Sequence, residues 1–318
     1  MTTIKKKADV IVIGELNVDV ILNEIESFPA IGKEIIANTM SVTLGSSSAI
    51  FASNLSALGI HVAFIGKIGE DNFAQVVLVS LNNKNVDTSH ILKSATLCTG
   101  ATIVLNYGQD RAMVTYPGAM NDLRLEDIDF GFLSTARHMH FSSYFIQPGM
   151  RKDVTLLFRR AKEMGLTTSL DTQWDTEEKW DIPLKELLPY VDLFLPNIQE
   201  FRFLTKCKTV EEGINKLKNI AHYIVIKNGS DGAMAWDGKQ LISQPAFKND
   251  QVVDCIGAGD SFNAGFISEF IKKESLGRCL EIGALAGAIN TTRAGGTGAF
   301  ENKKMIREIA RNKFRFTF

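Results

Sequence analysis

Short apolar, β-branched runs alternate with helix-like segments along most of this 318-residue chain. Strand-like runs include Asp9 to Ile13, His138 to Ser142 and Tyr223 to Lys227, and periodic segments such as Arg151 to Met164 lie between them. Strands separated by helices of this length need crossover connections, which place parallel strands in one sheet with helices on both faces. The pattern therefore predicts an α/β fold with a mostly parallel central sheet flanked by helices.

Two regions break this alternation. Val20 to Leu44 contains β-prone pieces around Pro29 and Gly32 without a clear helix, and Thr99 to Tyr116 reads as a hairpin that turns at Tyr107 to Asp110. We expect these segments, about 20–44 and 99–117, to pair as a small β-sheet that stands off the main one. Neither a linker nor a repeat interrupts the sequence, so one domain spanning 1–318 is expected.

Charge and cysteine content exclude several classes of function. The chain carries 35 basic and 36 acidic residues, and a net charge of −1 gives no reason to expect a nucleic-acid or anionic-membrane partner. No apolar run reaches the roughly 18 residues that a membrane span needs. Four scattered cysteines without a CxxC pair indicate reduced thiols and a cytoplasmic protein: Cys98, Cys207, Cys255 and Cys279.

The segment Gly257-Ala258-Gly259-Asp260 opens a long apolar helix. Small residues let a phosphate approach the backbone, and the free N–H groups of a first helical turn attract anions. Asp260 fits both a helix cap and a general base that takes a proton from an attacking hydroxyl. Asp254, a second carboxylate just before the turn, suits a cation site and favours the base.

The stretch Asp254 to Asp260 resembles the signature of the ribokinase family of carbohydrate kinases, also called the phosphofructokinase-B family. Other segments resemble motifs of that family in the same order along almost the whole chain: Gly14 to Asp19, Gly66 to Asp71, Asn85 to Thr88, Thr99-Gly100, Pro196 to Glu200, Lys227 to Gly232 and Asn290 to Gly298. Each motif is short, but their order and spacing together are specific. The resemblance implies a ribokinase-like fold with a small β-sheet lid, and transfer of the γ-phosphate of ATP to a hydroxyl of a small carbohydrate of the fructose, ribose or sugar-acid class.

The resemblance also assigns roles to individual residues. Asp260 would be the base, and the amides of Gly257, Ala258 and Gly259 would form the anion hole. Residues that would contact ATP or organise Mg²⁺ and phosphates are Asn197, Glu200, Lys227, Gly229, Gly232 and Asn290. Residues that would match the family's site for a monovalent cation such as K⁺ are Asp254, with the carbonyls of Ile256, Asn290 and Gly295. Outside the resemblance, the Asn197 and Glu200 pair also fits an ordinary helix start.

On the acceptor side, the resemblance assigns substrate binding to Asn17, Asp19, Gly45, Ser46 and Ser47. Asn17 and Asp19 are two residues apart on a strand and so project from one face, which suits sugar hydroxyls but also fits a polar strand-to-turn transition.

One departure from the family falls on this side. The family's Gly-Gly-x-x-x-Asn run is here Gly45 to Ile50, with Ser46 at the second glycine and Ile50 at the asparagine. Ile50 cannot hydrogen-bond a hydroxyl, so no named sugar carries over, although the three serines are candidate replacement donors.

Several further readings stay open. Asp171, at the end of a strand, fits either a ligand contact or a turn. His138 and His140 share a strand face and favour a structural role over a metal site. Arg111 is a candidate contact for a phosphosugar. Rival functions are a nucleoside kinase, a phosphosugar kinase and a non-catalytic sugar-binding relative, whereas a dehydrogenase is excluded because no GxGxxG follows the first strand. Family lids often pair between subunits, which implies a homodimer.

Overall fold

A computed structural model describes residues 8–27, 29–107 and 110–318, with Asp110 described by its backbone alone. In these ranges the strands are β1 Val10–Ile13, β2 Asn17–Ile25, β3 Ala37–Leu44, β4 Val62–Ile68, β5 Asp87–Lys93, β6 Gly100–Tyr107, β7 Asp110–Tyr116, β8 His138–Ser142, β9 Thr167–Asp171, β10 Leu193–Phe194, β11 Tyr223–Lys227, β12 Ala233–Trp236 and β13 Leu241–Gln244. The α-helices are α1 Ser47–Ala57, α2 Asn72–Asn83, α3 Phe130–Leu133, α4 Pro148–Arg151, α5 Val154–Glu163, α6 Leu184–Leu187, α7 Ile198–Thr205, α8 Val210–Leu217, α9 Ala258–Phe270, α10 Leu276–Asn290 and α11 Lys303–Phe314.

The larger sheet has nine strands in the order β13-β12-β11-β10-β9-β8-β1-β4-β5. All pairings from β5 across to β11 are parallel, and β12 and β13 add an antiparallel hairpin at one edge. The prediction of a mostly parallel central sheet is therefore confirmed.

Side-chain alternation along β1 divides the interior into two cores. Ile11 and Ile13 point into one hydrophobic cluster, and Val10 and Val12 point into another on the opposite face of the sheet. Both clusters are lined by helices as well as by strands. A strand that is apolar at every position is what a sheet covered on both faces requires.

The smaller sheet has four strands in the order β3-β2-β6-β7. Strand β2 pairs antiparallel with β3 and parallel with β6, and β6 pairs antiparallel with β7. The expected pairing of the two irregular segments is confirmed, although β2 begins at Asn17, earlier than position 20. Two residues of the expected hairpin turn, Gly108 and Gln109, lie outside the described residues.

Some elements differ from the sequence-based expectation. Strands β5, β12 and β13 were not predicted. Strands β5 and β13 lie at the two edges and mix polar with apolar residues, whereas β12 is apolar but only four residues long. The single helix expected over Arg151 to Met164 is split into α4 and α5, with Asp153 as the N-cap residue of α5. The Asp153 side chain makes no capping hydrogen bond, so its carboxylate favours the new helix start only through the positive end of the helix dipole.

Two further observations concern the described ranges as a whole. No helix there combines the length and the apolar character needed to cross a membrane. All four cysteines fall within these ranges and carry free thiols.

Candidate active site

The candidate site lies where parallel strands of the large sheet end. Asp171 is the last residue of β9, Lys227 is the last residue of β11, and Asn197 follows β10 between them. The carboxyl ends of parallel strands form the edge at which α/β proteins bind ligands. The first turn of α9 approaches this edge and brings Asp260 to it.

The turn before α9 depends on glycine. Gly257 has a φ of 73°, a conformation that costs residues with a Cβ atom and that glycine adopts freely. In the described part of the chain no acceptor pairs with the amides of Gly257, Gly259 or Asp260, whereas the Ala258 amide donates to the Cys255 carbonyl at 3.2 Å. The free amides are therefore those of Gly257, Gly259 and Asp260, while the Ala258 amide, expected in the anion hole, is engaged within the turn.

Asp260 is buried at the start of α9, and its Oδ1 accepts a hydrogen bond from Gln173 Nε2 at 3.0 Å. Burial raises the pKa of Asp260 well above its usual value, the Asp171 carboxylate raises it further, and the nearby Lys227 ammonium opposes both effects. A carboxylate with a raised pKa holds a proton more strongly than a solvated one, as a general base should.

Asp171 and Lys227 form a buried ion pair beside this carboxylate. Lys227 Nζ lies 2.6 Å from Asp171 Oδ2, and the two side chains are 11% and 0% exposed. Asn263 Nδ2 at 2.5 Å and Gln173 Nε2 at 3.1 Å also donate to Asp171 Oδ2. Burial alone would lower the pKa of Lys227, but the Asp171 and Glu200 carboxylates outweigh it and raise that pKa.

Asn197 and Glu200 form a reciprocal cap at the start of α7. Asn197 Oδ1 accepts from the Glu200 amide at 2.9 Å, and Glu200 Oε2 accepts from the Asn197 amide at 2.8 Å. The ordinary helix start is thus present, yet Glu200 is also buried close to Asp171 and Lys227. Burial raises the pKa of Glu200 to about 7, Asp171 adds to the effect, and Lys227 opposes it.

A cavity of about 490 Å³ opens on one side of the α9 turn. Its size falls within the range of small-molecule sites. Its lining includes Lys227, Gly229, Gly232, Phe247, Ala258, Gly259, Phe262, Ala288 and Thr291. Asn290 was expected at the nucleotide, but its side chain is fully buried and donates to the Ile256 carbonyl at 2.6 Å.

The predicted acceptor residues converge at the hinge between the two sheets. A Cβ atom on Gly45 would lie 2.4 Å from Asp19 Oδ1 and 2.7 Å from Asn17 Oδ1, so only glycine allows this approach. Asn17 donates to Thr102 at 2.8 Å, and its Oδ1 is buried without a partner among the described residues. Burial raises the pKa of Asp19 to about 6, with Arg111 opposing and Asp254 adding to the shift.

The serines after Gly45 are mostly engaged elsewhere. Ser46 Oγ donates to the Glu15 carbonyl at 2.6 Å and accepts from the Ala49 amide, as a helix cap does. Ser48 Oγ bonds the buried Glu15 carboxylate, whose pKa is raised by burial and lowered in part by Ser48. In the described structure only Ser47 of the three makes no hydrogen bond, so the Ser46 hydroxyl is not the free donor that was expected.

Ile50 packs against the glycine turn before α9 rather than facing open space. It is 3% exposed, and its side-chain atoms lie 2.9 Å and 2.3 Å from where Cβ atoms on Gly257 and Gly296 would be. The position where the family has an asparagine therefore supplies an apolar wall to the turn.

Residues of the expected cation site lie close together and hydrogen-bond to one another. Asp254 Oδ1 accepts from the Ile256 amide and Oδ2 accepts from the Gly295 amide, both at 2.9 Å. The Ile256 carbonyl accepts from Asn290. Across residues 8–27, 29–107 and 110–318, no group of three or more His, Cys, Asp or Glu side chains is arranged to hold a metal ion.

The structure adds three residues that sequence reasoning did not select: Gln173, Asn263 and Glu15. Gln173 lies two residues after the strand end at Asp171, so its place beyond the carboxyl end of a strand was an available signal. Asn263 sits one turn after Asp260 on α9 and therefore shares its face. His138 and His140 both bond Ser169 Oγ at 2.7 Å, which agrees with the structural role favoured for them.

Comparison with known proteins identifies a family and relatives of this chain. Residues 7–303 match the family described as pfkB family carbohydrate kinase. A 5-dehydro-2-deoxygluconokinase of Geobacillus kaustophilus is 27% identical over 304 residues, covering 90% of this chain and 88% of the relative. An ATP-dependent 6-phosphofructokinase of Thermoanaerobacterium thermosaccharolyticum is 25% identical over 290 residues, covering 89% and 88%.

A solved structure shares the fold. The ribokinase of Arabidopsis thaliana, determined with ribose and ATP, superposes with a TM-score of 0.83 at 23% identity and covers 95% of this chain and 98% of its own. The architecture of a large mostly parallel sheet with a smaller separate sheet is therefore the ribokinase fold. Because the family match spans most of the sequence, the chain belongs to the pfkB family of carbohydrate kinases, which transfer a phosphoryl group to a hydroxyl.

Proposed function

We propose that this sugar kinase transfers the γ-phosphate of ATP in line to a hydroxyl of a small carbohydrate, with Asp260 as the general base. The observation that carries the proposal is the position of the Asp260 carboxylate. It is buried at the head of α9, next to amides without partners, and at the side of the 490 Å³ cavity.

The residues around Asp260 support a proton-transfer step. The acceptor oxygen bonds to the γ-phosphorus as the bond from that phosphorus to the β–γ bridging oxygen breaks, and ADP leaves. The proton of the acceptor hydroxyl passes to Asp260 Oδ2. Gln173 holds Oδ1 by donating to it at 3.0 Å. The amides of Gly257 and Gly259 stabilise the negative charge that spreads over the transferring group.

ATP fits the cavity beside this turn. Lys227 places a cation at its inner end, and a Cβ atom on Gly259 would lie 3.8 Å from Lys227 Nζ. Small residues of α10 and the side chains of Phe247 and Phe262 supply an apolar wall for a base. A polyphosphate would thus lie between Lys227 and the α9 amides, where a helix N-terminus favours negative charge.

Mg²⁺ fits the Glu200 carboxylate, whose Oε1 accepts no hydrogen bond from the described residues, better than Asp171, whose Oδ2 already accepts three. Glu200 is buried near Lys227, and Asn263 Oδ1 has no partner among the described residues. Oxygen ligands of this kind suit Mg²⁺, which keeps several of its own waters. When bound, Mg²⁺ supplies positive charge to the phosphates.

A sugar acid is the acceptor class that we favour. Asn17, Asp19 and Gly45 offer polar groups to hydroxyls, and Arg111 on β7 is close enough to influence the pKa of Asp19. A guanidinium on the small sheet would pair with a carboxylate or phosphate of the acceptor. One relative is named for a sugar acid and another for a phosphosugar, which supports an anionic acceptor.

The small sheet is proposed as a lid and as a dimer interface. Side chains along its strands point alternately to the two faces of the sheet. Asp19, Thr102 and Thr115 therefore share one face, and Ile103 and Val114 share the other. The polar row lies on the side of Asn17 and Gly45. A lid of this kind excludes water from the transferring phosphoryl group.

A coupled ADP-release screen tests the proposal directly. The panel contains sugars, sugar acids, phosphosugars, inositols and nucleosides, each with Mg·ATP. We expect the highest kcat/KM for a sugar acid. Activity with nucleosides alone would replace the proposed acceptor class, and no activity with any member would favour a non-catalytic sugar-binding protein.

A further inference from the structure

Behind the anion-hole turn, polar side chains from three helices meet in the interior. Asn54 comes from α1, Ser261 from α9 and Asn290 from α10, and all three are fully buried. None of them lines the nucleotide cavity. Burying three polar side chains costs free energy unless they are hydrogen-bonded. We therefore ask which groups they bond.

These side chains form a continuous chain of hydrogen bonds. Asn54 Nδ2 donates to Ser261 Oγ at 2.9 Å and to the Gly296 carbonyl at 2.8 Å. Ser261 Oγ lies 2.8 Å from the Gly257 carbonyl and 2.9 Å from Asn290 Oδ1, and donates its one proton to either. Asn290 Nδ2 completes the chain by donating to the Ile256 carbonyl at 2.6 Å.

The orientation of both amides follows from their partners. The carbonyl oxygens of Ile256 and Gly296 can only accept, so the nitrogen of each side-chain amide must face them. The reverse orientation would place two oxygen atoms against each other at hydrogen-bonding distance.

Peptide geometry connects this chain to the reaction. In a planar trans peptide the carbonyl and the following N–H point in opposite directions. Because Asn290 holds the Ile256 carbonyl toward the interior, the Gly257 amide points outward, to where a phosphoryl group would bind. The buried hydrogen bonds of Asn54, Ser261 and Asn290 therefore fix the direction of the Gly257 N–H, an anion-hole donor.

The same contacts conflict with a monovalent cation. Such an ion needs several oxygens turned toward one centre, but both Asp254 oxygens face backbone amides and the Ile256 carbonyl faces the Asn290 amide. These N–H groups take one lone pair of each oxygen and already hold the turn, which is the role that a cation would otherwise have. Two of the expected K⁺ ligands, the Asp254 carboxylate and the Ile256 carbonyl, are therefore engaged in contacts within the protein.

We infer that the Asn54–Ser261–Asn290 chain organises the anion-hole turn in place of a monovalent cation, so that the kinase works without K⁺. The inference rests on the proposed role of the turn. One group in the chain argues the other way: Asn54 Oδ1 is buried without a partner among the described residues and would accept a cation or a water. The experiment below therefore distinguishes turnover that needs K⁺ from turnover that does not.

The first test replaces the cation and leaves the protein unchanged. ADP release by the wild-type protein is compared in K⁺, Na⁺ and tetramethylammonium chloride at equal ionic strength, with Mg·ATP saturating. We expect rates within threefold of one another. A rate in K⁺ more than threefold above that in tetramethylammonium would overturn the inference.

Calorimetric binding separates this inference from the proposed function. The affinity for a non-hydrolysable ATP analogue with Mg²⁺ is measured in the same salts. If no acceptor supports ADP release, the proposed function fails, yet equal affinities within threefold still support cation independence. An affinity more than threefold higher in K⁺ would contradict it.

Variants test the positioning role. Asn290→Ala removes the donor to Ile256, and we expect kcat to fall about 10-fold or more while the KM for ATP changes less than threefold, because the anion hole acts mainly in the transition state. Ser261→Ala should behave similarly, and Ser261→Thr, which keeps the hydroxyl, should restore most of kcat.

Ser53→Ala is the matched control. Ser53 is the neighbour of Asn54 on α1, is fully buried, and has a hydroxyl without a hydrogen-bond partner in the described structure. We expect its kcat to be unchanged. Equal losses of kcat in Ser53→Ala and Asn290→Ala would contradict the positioning role. So would an increase in the KM of Asn290→Ala for ATP without a loss of kcat. Either result would mean that these side chains contribute only to packing.

Discussion

The two sheets of this protein differ in how much of each face is buried. In the nine-stranded sheet, residues on both faces of β1 are fully buried under helices. In the four-stranded sheet, apolar side chains such as Met40 and Val114 are 65% and 67% exposed, while the opposite face carries the polar row that includes Asp19 and Thr102. Helices of the same chain cover both faces of the large sheet, whereas one apolar face of the small sheet stays exposed to solvent.

The difference shows where the stability and the chemistry lie. The buried ion pair of Asp171 and Lys227, and Asp260 beside it, depend on the large sheet and on α9 for their positions. The small sheet contributes Asn17, Asp19 and Arg111 on its own strands. Substitutions in the large sheet should therefore affect folding and catalysis together, whereas substitutions on the open face should affect association alone.

Lys227→Met is expected to have the largest effect on stability. It leaves Asp171 buried without its cation, and breaking a buried pair in this way costs about 3 kcal/mol or more of the free energy of unfolding. The measurement is urea unfolding followed by circular dichroism, together with kcat.

Lys162→Met is the control for that variant. Lys162 pairs with Asp192 at 2.8 Å, but its side chain is 31% exposed, and we expect a loss of roughly 1 kcal/mol or less. Adding Asp171→Asn to Lys227→Met should recover part of the stability but no activity. Equal unfolding midpoints for the two lysine variants would contradict the buried pair.

Glu200→Gln should have a smaller effect that depends on pH. The pKa of Glu200 is raised from 4.5 to about 7 in the folded protein, so the folded state binds the proton more tightly. The free energy of unfolding therefore falls as pH rises between these values, and the neutral side chain removes this loss. We expect the variant to be more stable than wild type by about 1–3 kcal/mol at pH 8.5 and by less at pH 5.5.

Glu212→Gln provides the matched control, because Glu212 forms the same reciprocal cap with Thr209 on α8 but is exposed. Thermal unfolding at the two pH values measures both variants. A stability difference for Glu200→Gln that is the same at pH 5.5 and 8.5 would show that its carboxylate is not desolvated.

The double variant Met40→Lys/Val114→Lys should have the smallest effect on the fold. Both side chains already lie largely in solvent, so we expect the free energy of unfolding of the monomer to change by less than about 0.5 kcal/mol. The proposed homodimer should dissociate, as measured by light scattering on a sizing column. Val79→Lys on α2, 55% exposed, is the control. If the double variant elutes with the mass of wild type, the exposed apolar face of the small sheet does not form the dimer interface.

The sequence was most informative where a pattern has one physical solution. Alternating strands and helices allow little besides a parallel sheet, and the glycines before Asp260 predict the turn that the structure shows. The hairpin strands β12 and β13 escaped prediction because segments of four residues carry too little pattern of their own and take their structure from the neighbouring strand.

Site residues were hardest to predict where a side chain has two possible partners. Ser46 was expected to face a substrate, but Glu15, distant in sequence, takes its hydroxyl. Asn290 was expected at ATP, but a carbonyl on another segment orients it inward. Long-range hydrogen bonds of this kind have no local sequence signal.

The most direct test of the central claim uses Asp260→Asn, with turnover and ATP-analogue binding measured on the same preparation. The amide keeps the shape and the contact to Gln173 but cannot accept the proton. We predict a loss of about 10³-fold or more in ADP release, with the dissociation constant for the analogue within threefold of wild type. Turnover within 10-fold of wild type would contradict Asp260 as the base.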